Sequence, residues 1–188
     1  YYDLPFVGSS FLFSAEDMGT LSVTTDEALY GQELAFFQGL AETVDLDTET
    51  ITSGQVLDDF SSGATLSAII DSRDVGKITN AAYNVAPVPA MNETLAVRGG
   101  SYTELLVVNE FSDKGNAAAD FAAYVTTECT DFLETQTGHI SVRADAVTDE
   151  MSRIIYGQYE NSFSIPNTMD VEDFLRELRN KMTAVWNG

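Results

Sequence analysis

Residues 85–109, VAPVPAMNETLAVRGGSYTELLVVN, place two prolines and a glycine pair between two short apolar runs. Proline lacks a backbone N–H and glycine lacks a Cβ, so both residue types mark corners of the chain rather than the interior of regular elements. The pattern predicts a strand over YNVAPVP, a corner at Gly99 and Gly100, and a second strand over ELLVVN. At such a corner, glycine lets another chain segment or a bound molecule approach the backbone closely.

Several other segments have helical periodicity. Residues 24–44, TTDEALYGQELAFFQGLAETV, carry an apolar side chain every three or four residues, and Thr24 with Glu27 has the spacing of a capping box. Further helices are predicted over NAAADFAAYVTT and from Thr148. The last helix has the most regular apolar spacing, and Asp170 stands at its expected N-cap position. Its apolar face consists of Val171, Phe174, Leu175, Leu178, Met182 and Val185.

Residues 53–71, SGQVLDDFSSGATLSAIID, predict a short helix over 54–60, a turn, and a strand over 64–70. This strand is apolar on both faces, as in a buried strand. Because strands alternate with helices, the predicted fold class is α/β. No apolar run approaches the roughly 20 residues of a membrane helix, so we expect no membrane insertion by this chain.

The charge balance is strongly acidic, with 30 acidic and 9 basic residues and a formal net charge of −21. The first lysine or arginine is Arg73, so the preceding 72 residues carry no basic side chain. Such a surface repels phosphate groups, which argues against a nucleic-acid partner and against anionic membrane surfaces. A solvated acidic surface accounts for the charge, and cation binding is the alternative.

The residue types that carry catalysis are poorly represented. His139 is the only histidine, and no nucleophile signature stands beside it. Asp45, Asp47 and Glu49 are spaced like part of a calcium loop, but the mid-loop glycine and the glutamate at the twelfth position are missing. No glycine-rich phosphate loop is present. We therefore expect no enzyme, no metal site and no cofactor.

Four stretches, in this order, resemble the extracellular solute-binding proteins of bacterial carbohydrate ABC importers, of the maltose-binding-protein type. They are DDFSSGATLSAIIDS, YNVAPVPAMNETLAVRGG, YTELLVVNEFSDKGNAAADFAAYVTT and SIPNTMDVEDFLRELRNKMTAVWNG. The chain corresponds to the second half of that family. The resemblance implies a partial periplasmic-binding-protein-like fold of type II, a mixed sheet flanked by helices. Residues 1–188 would then form a single solute-binding-protein-like domain, as a fragment or as part of a larger protein.

The function implied by the resemblance is binding of a small solute, with carbohydrate as one class, and association with the permease subunits of an ABC importer. The implied location is extracellular, at the cell surface or periplasmic. In that family the proline and glycine corners lie along the cleft between two lobes. The ligand-binding residues expected at these turns are Ser72, Arg73, Asp74, Gly100, Ser101 and Tyr102. Arg73 would pair either a ligand carboxylate or a neighbouring aspartate. Tyr102 would either stack on the ligand or pack into the core.

Two departures from the family leave a second interpretation open. Sugar-binding members carry a tryptophan after the small apolar strand and another near the start of the last helix, where this chain has SRD at 72–74 and DVE at 170–172. The single tryptophan, Trp186, lies far along the last helix, where packing in the core or tail is expected. The alternative function is therefore a ligand-free structural or interaction domain of a transporter or cell-surface assembly.

Overall fold

The computed structural model describes residues 4–16, 20–44, 46–48, 50–166 and 169–188. Among these residues the α-helices are α1 (Leu4–Val7), α2 (Glu27–Ala41), α3 (Ser53–Ser62), α4 (Gly115–Glu128), α5 (Thr130–Thr137), α6 (Glu150–Glu160) and α7 (Met169–Asn187). The strands are β1 (Phe11–Glu16), β2 (Thr20–Thr25), β3 (Gly100–Ser101) and β4 (Phe163–Ser164). Short 3-10 segments cover Gly8–Ser10, Ser72–Lys77 and Ala144–Ala146.

The chain divides into two compact units. The first unit is drawn from residues 1–56, 87–102 and 158–188, and the second from residues 57–86 and 103–157. The four strands belong to the first unit, where β1 pairs antiparallel with β2 and β3 pairs parallel with β4. Side chains alternate along β1, so that Phe11 is buried while Leu12 is 62% exposed.

The core of the first unit is built where α2 and α7 pack together. Phe37 of α2 and Met182 of α7 are both buried, and the predicted apolar face of α7 is confirmed at Val171, Leu175 and Leu178. Trp186 packs against Phe37 with ring centroids 5.0 Å apart, which confirms the expected core packing of the tryptophan. Asp170 lies inside α7 rather than at its N-cap, because the helix begins at Met169.

The predicted helix over 24–44 is confirmed, but its ends differ from the prediction. Asp26 is the N-cap of α2, and its carboxylate accepts the N–H of Leu29 at 3.0 Å. Thr24, the predicted cap, lies in β2 opposite Leu12, where its backbone is extended. The helix ends at Ala41, so Val44 is not part of its apolar face and is 47% exposed.

Between residues 57 and 160 the helical predictions hold and the strand predictions do not. Helix α4 is confirmed, and the helix predicted from Thr148 begins at Glu150. The runs 64–70, 83–89 and 104–109, each predicted as a strand, have irregular backbone. A strand requires a hydrogen-bonded neighbour as well as apolar residues, and among the residues that the structure describes none of these three runs pairs with another strand. The α/β fold of the periplasmic-binding-protein type stays a prediction.

Among the described residues, no helix combines the length and the apolar character needed to cross a membrane.

Candidate functional site

The predicted ligand-binding residues are divided between the two units. Ser72, Arg73 and Asp74 belong to the second unit, whereas Gly100, Ser101 and Tyr102 belong to the first. Each group therefore has its own local structure.

Arg73 lies in the 3-10 segment Ser72–Lys77, which Asp71 caps. The carboxylate of Asp71 accepts the backbone N–H of Arg73 at 2.9 Å. The guanidinium of Arg73 folds back onto the same carboxylate, with Nε to Oδ1 at 3.1 Å and Nη2 to Oδ2 at 3.0 Å. Asp74 in turn accepts from Nζ of Lys77 at 2.6 Å. Of the two roles predicted for Arg73, pairing with a neighbouring aspartate is therefore confirmed.

The charges in this turn stabilise each other. Burial on its own would raise the pKa of Asp71, but the hydrogen bonds and positive charge of Arg73 outweigh it and leave the pKa below its ordinary value. Asp71 raises the pKa of Arg73, and Asp74 and Glu104 act in the same direction. Both partners are ionised at neutral pH. A ligand carboxylate would have to displace Asp71, which accepts three hydrogen bonds from Arg73.

Gly138 brings a second loop against the same turn. It ends α5 with a φ of 70°, and a Cβ at this position would lie 3.0 Å from both Cα and the carbonyl oxygen of Arg73. Both the left-handed backbone and the close approach favour glycine here. The next residue, His139, places Nε2 3.4 Å from Oε1 of Glu104.

These contacts form a polar group that we call the Arg73 cluster, made of Asp71, Arg73, Asp74, Glu104 and His139. Sequence reasoning missed three of its members, Asp71, Glu104 and His139. Asp71 could have been predicted, because an aspartate two residues before another residue commonly accepts that residue's backbone N–H. The contact between Glu104 and His139 is tertiary, and no local sequence signal indicates it.

In the first unit, Gly100 and Ser101 form β3 beside β4. The hydroxyl of Ser101 donates to the carbonyl of Phe163 at 3.3 Å and accepts from the hydroxyl of Ser162 at 2.6 Å. A Cβ on Gly100 would collide with the side chain of Ile165, which is buried. Packing against Ile165 therefore accounts for the glycine at this position.

Tyr102 and Ser72 complete the predicted set. Tyr102 is 48% exposed, so core packing, one of its two predicted roles, is excluded. Ser72 is half-buried at the start of the 3-10 segment. Binding of a ligand by these six residues stays a prediction.

A different surface of the second unit is exposed and apolar. Residues 104–108, which we call the open edge, include Leu105, Leu106 and Val107, whose side chains are 78%, 53% and 87% exposed. No residue of the open edge makes a backbone–backbone hydrogen bond with any described residue. Phe111, just beyond it, is 87% exposed. The open edge thus combines accessible apolar side chains with unpaired main chain.

Next along the chain, a shallow depression of about 480 Å³ lies at the start of α4. It is lined by Glu110 and by residues 112–117, among which Asp113 and Lys114 are charged. In the parts of the chain that the structure describes, no three histidine, cysteine, aspartate or glutamate side chains come together as a metal site.

Comparison with known proteins gives no relative for this chain, since neither protein-family models, nor curated proteins, nor solved structures produce a match.

Proposed function

We propose that this chain is an interaction domain that binds a partner protein through an apolar surface of its second unit. The observation that carries the proposal is the exposure of Leu105, Val107 and Phe111, which ranges from 78% to 87%. Soluble proteins rarely leave a run of large apolar side chains in water, and such surfaces commonly mark sites of protein association. This function is the ligand-free alternative that the sequence leaves open.

The predicted ligand-binding residues support the same proposal through their internal partners. Arg73 is paired by Asp71, and Asp74 is paired by Lys77. Ser101 is bonded to Ser162 and to the carbonyl of Phe163. A solute would therefore have to replace existing hydrogen bonds, and net binding energy falls when each new contact costs an old one.

The proposed setting is an extracytoplasmic assembly, with the permease subunits of an ABC importer as the class of partner. This part of the proposal depends on the resemblance to solute-binding proteins alone. The net charge of −21 fits a partner surface that is basic or neutral.

A small-solute receptor is the second candidate function. It is favoured by Tyr102, a residue that is 48% exposed at a turn that the resemblance assigns to ligand binding. An exposed aromatic ring can stack on the apolar face of a sugar. In this proposal the chain would bind a carbohydrate or another small solute for transport.

A thermal-shift screen separates the two candidates. A ligand that binds the folded state alone must raise the unfolding midpoint. The panel contains oligosaccharides, amino acids and divalent cations. We expect no shift with any of them. A saturable rise with one solute that is lost in Tyr102→Ala would support the receptor and overturn the ligand-free domain.

An environment-sensitive apolar dye tests the surface directly. We expect the folded protein to bind the dye, and we expect the double variant Val107→Asp with Phe111→Asp to bind much less. The matched control is Leu12→Asp, which changes an apolar side chain of the first unit that is 62% exposed. Circular dichroism checks that each variant is folded. If the parent protein binds no dye and its amides over 104–108 exchange slowly, the surface is covered and the proposal is wrong.

A further inference from the structure

The main chain of the open edge has the properties of a vacant strand position. Its five residues make no backbone–backbone hydrogen bond within the described chain. Their negative φ angles keep them out of the left-handed region, and the sequence ELLVV is rich in residues that favour strands. Unpaired N–H and C=O groups in such a segment form a template for pairing with another extended chain.

The exposure pattern favours a strand over a helix as the occupant. In an extended segment, successive side chains point to opposite faces. Leu105, Leu106 and Val107 are consecutive and all more than half exposed, so in an extended conformation side chains on both faces of the segment would be accessible. A docked helix would cover one face and leave the backbone groups unpaired, whereas an added strand pairs with the N–H and C=O groups along one edge and places its own side chains beside both rows.

The charges around the open edge indicate the chemistry of the occupant. Glu104 begins the open edge with its side chain 73% exposed, and Glu110 follows it. Glu110 also lines the depression of about 480 Å³ together with Asp113 and Lys114, so two carboxylates face one ammonium group there. Lysine or arginine at the ends of an added strand would complement these carboxylates. A second copy of this chain is disfavoured because each copy carries a net charge of −21.

We propose that residues 104–108 bind, by strand addition, an extended apolar segment of another protein that carries lysine or arginine at its ends. The inference depends on the proposed interaction function and adds its geometry and the chemistry of the partner. Main-chain hydrogen bonds supply the pairing, and the acidic flanks select a basic segment.

The test uses a fluorescent peptide of alternating valine and threonine with lysines at both ends, titrated with the whole chain. We expect binding that weakens as salt is added, together with slower hydrogen exchange of the amides over 104–108. The same peptide with glutamate in place of lysine is expected to bind at least about tenfold more weakly, because it meets like charges at Glu104 and Glu110.

Proline variants test the main-chain pairing. Alternate N–H groups of a strand point towards a given neighbour, so one of Leu106→Pro and Val107→Pro must remove a bond to the peptide. We expect that variant to bind about tenfold more weakly. Leu106→Ala and Val107→Ala keep the N–H and serve as matched controls. Variants are compared only if their circular dichroism and unfolding midpoint match those of the parent.

Each contrary result has a distinct meaning. If a lysine-rich amphipathic helical peptide binds and the strand peptide does not, strand addition is wrong and the interaction function stands. If neither peptide binds and the apolar dye does not bind either, both proposals are wrong. If sedimentation shows a dimer that Val107→Pro dissociates, the occupant is a second copy and the separate partner is wrong. Strand-peptide binding that neither proline variant weakens would also overturn strand addition.

Discussion

At the scale of single residues, Glu33 of α2 has an unfavourable environment for a charge. It is 1% exposed, and neither carboxylate oxygen has a hydrogen-bond partner among the described residues. The nearby hydroxyl of Ser10 donates to the carbonyl of Val7 instead. Burial raises the pKa of Glu33, and the negative charge of Asp26 reinforces the rise. Burial without a hydrogen-bond partner disfavours the ionised carboxylate relative to the protonated acid.

Replacing Glu33 by glutamine should change how stability depends on pH. Because the folded pKa is raised, the folded chain holds the proton more tightly than the unfolded chain. The stability gained from this tighter proton binding is complete at pH values below the pKa of Glu33 in the unfolded chain. It is lost as the pH rises through the pKa of Glu33 in the folded chain. Glutamine does not ionise, so the free energy of unfolding of Glu33→Gln should rise relative to that of the parent as pH rises, by roughly 1–3 kcal/mol near neutral pH. Urea unfolding across a pH series measures this difference.

The control for this experiment is Glu177→Gln, which changes an exposed glutamate of α7 in the same unit. It should follow the parent at every pH. Parallel profiles for the parent and Glu33→Gln would show that the carboxylate of Glu33 has an ordinary environment in solution.

Among the helices, α2 shows how an element is positioned by its first turn. Asp26 follows directly after β2, and its carboxylate bonds to the N–H of Leu29. Its own N–H donates to the carbonyl of Ser10 at 2.9 Å. Asp26 therefore follows the last residue of β2, caps α2 and connects both elements to the 3-10 segment Gly8–Ser10.

Loss of this cap should destabilise the first unit. We expect Asp26→Ala to lower the free energy of unfolding by ~0.5–2 kcal/mol, the usual effect of removing an N-cap side chain. Thr24→Ala is the matched control, because Thr24 has the predicted capping position but lies in β2. Denaturant unfolding of both variants measures the effect. An equal or larger loss in Thr24→Ala would show that the helix begins two residues earlier in solution.

Two glycines should respond in opposite ways to alanine. Gly138→Ala should destabilise by roughly 1 kcal/mol or more, because an alanine there adopts a left-handed backbone and meets the main chain of Arg73. Gly39→Ala should stabilise by about 0.5–1 kcal/mol, because Gly39 lies within α2 and, apart from its chain neighbours and the backbone of its own helix, no described atom stands within 4 Å of the added Cβ. Thermal unfolding compares the two, and a stabilised Gly138→Ala would contradict the backbone described for that turn.

The sequence predicts five of the described helices, α2, α3, α4, α6 and α7, but neither α1 and α5 nor the strands, for a physical reason. The apolar spacing of Phe174, Leu178 and Met182 is a local property, and it correctly predicts α7 and its buried face. The run ELLVVN has the composition of a strand, but a strand also requires a partner that lies elsewhere in the chain or in another molecule. Local spacing likewise predicts pairing of Arg73 with a nearby aspartate, whereas nothing local predicts the contact of His139 with Glu104.

For the molecule as a whole, uncompensated negative charge is the dominant electrostatic property. The 9 basic residues cannot neutralise the 30 acidic ones. The ion pairs formed by the described residues lie at the surface, as in Arg176 with Asp173, where both side chains are more than 60% exposed. Exposed pairs of this kind contribute little to stability, so repulsion between carboxylates remains the larger effect.

Added salt should therefore raise the unfolding midpoint, because it screens this repulsion more than it weakens the few surface pairs. We expect equal rises in sodium chloride and potassium chloride, measured by thermal unfolding. Calcium chloride at matched ionic strength should give no additional rise. A falling midpoint would show that attractive pairs dominate, and a rise specific to calcium would indicate cation binding.

The division of the chain has a consequence for its synthesis. The second unit ends at residue 157, whereas the core of the first unit needs Phe163 of β4 and Leu175, Leu178 and Met182 of α7. Every residue of the second unit is therefore synthesised before the core of the first unit is complete, although the first unit contains the first residues of the chain. We expect nascent chains stalled after residue 160 and clear of the ribosomal tunnel to protect the second unit from protease while residues 20–44 are still cleaved.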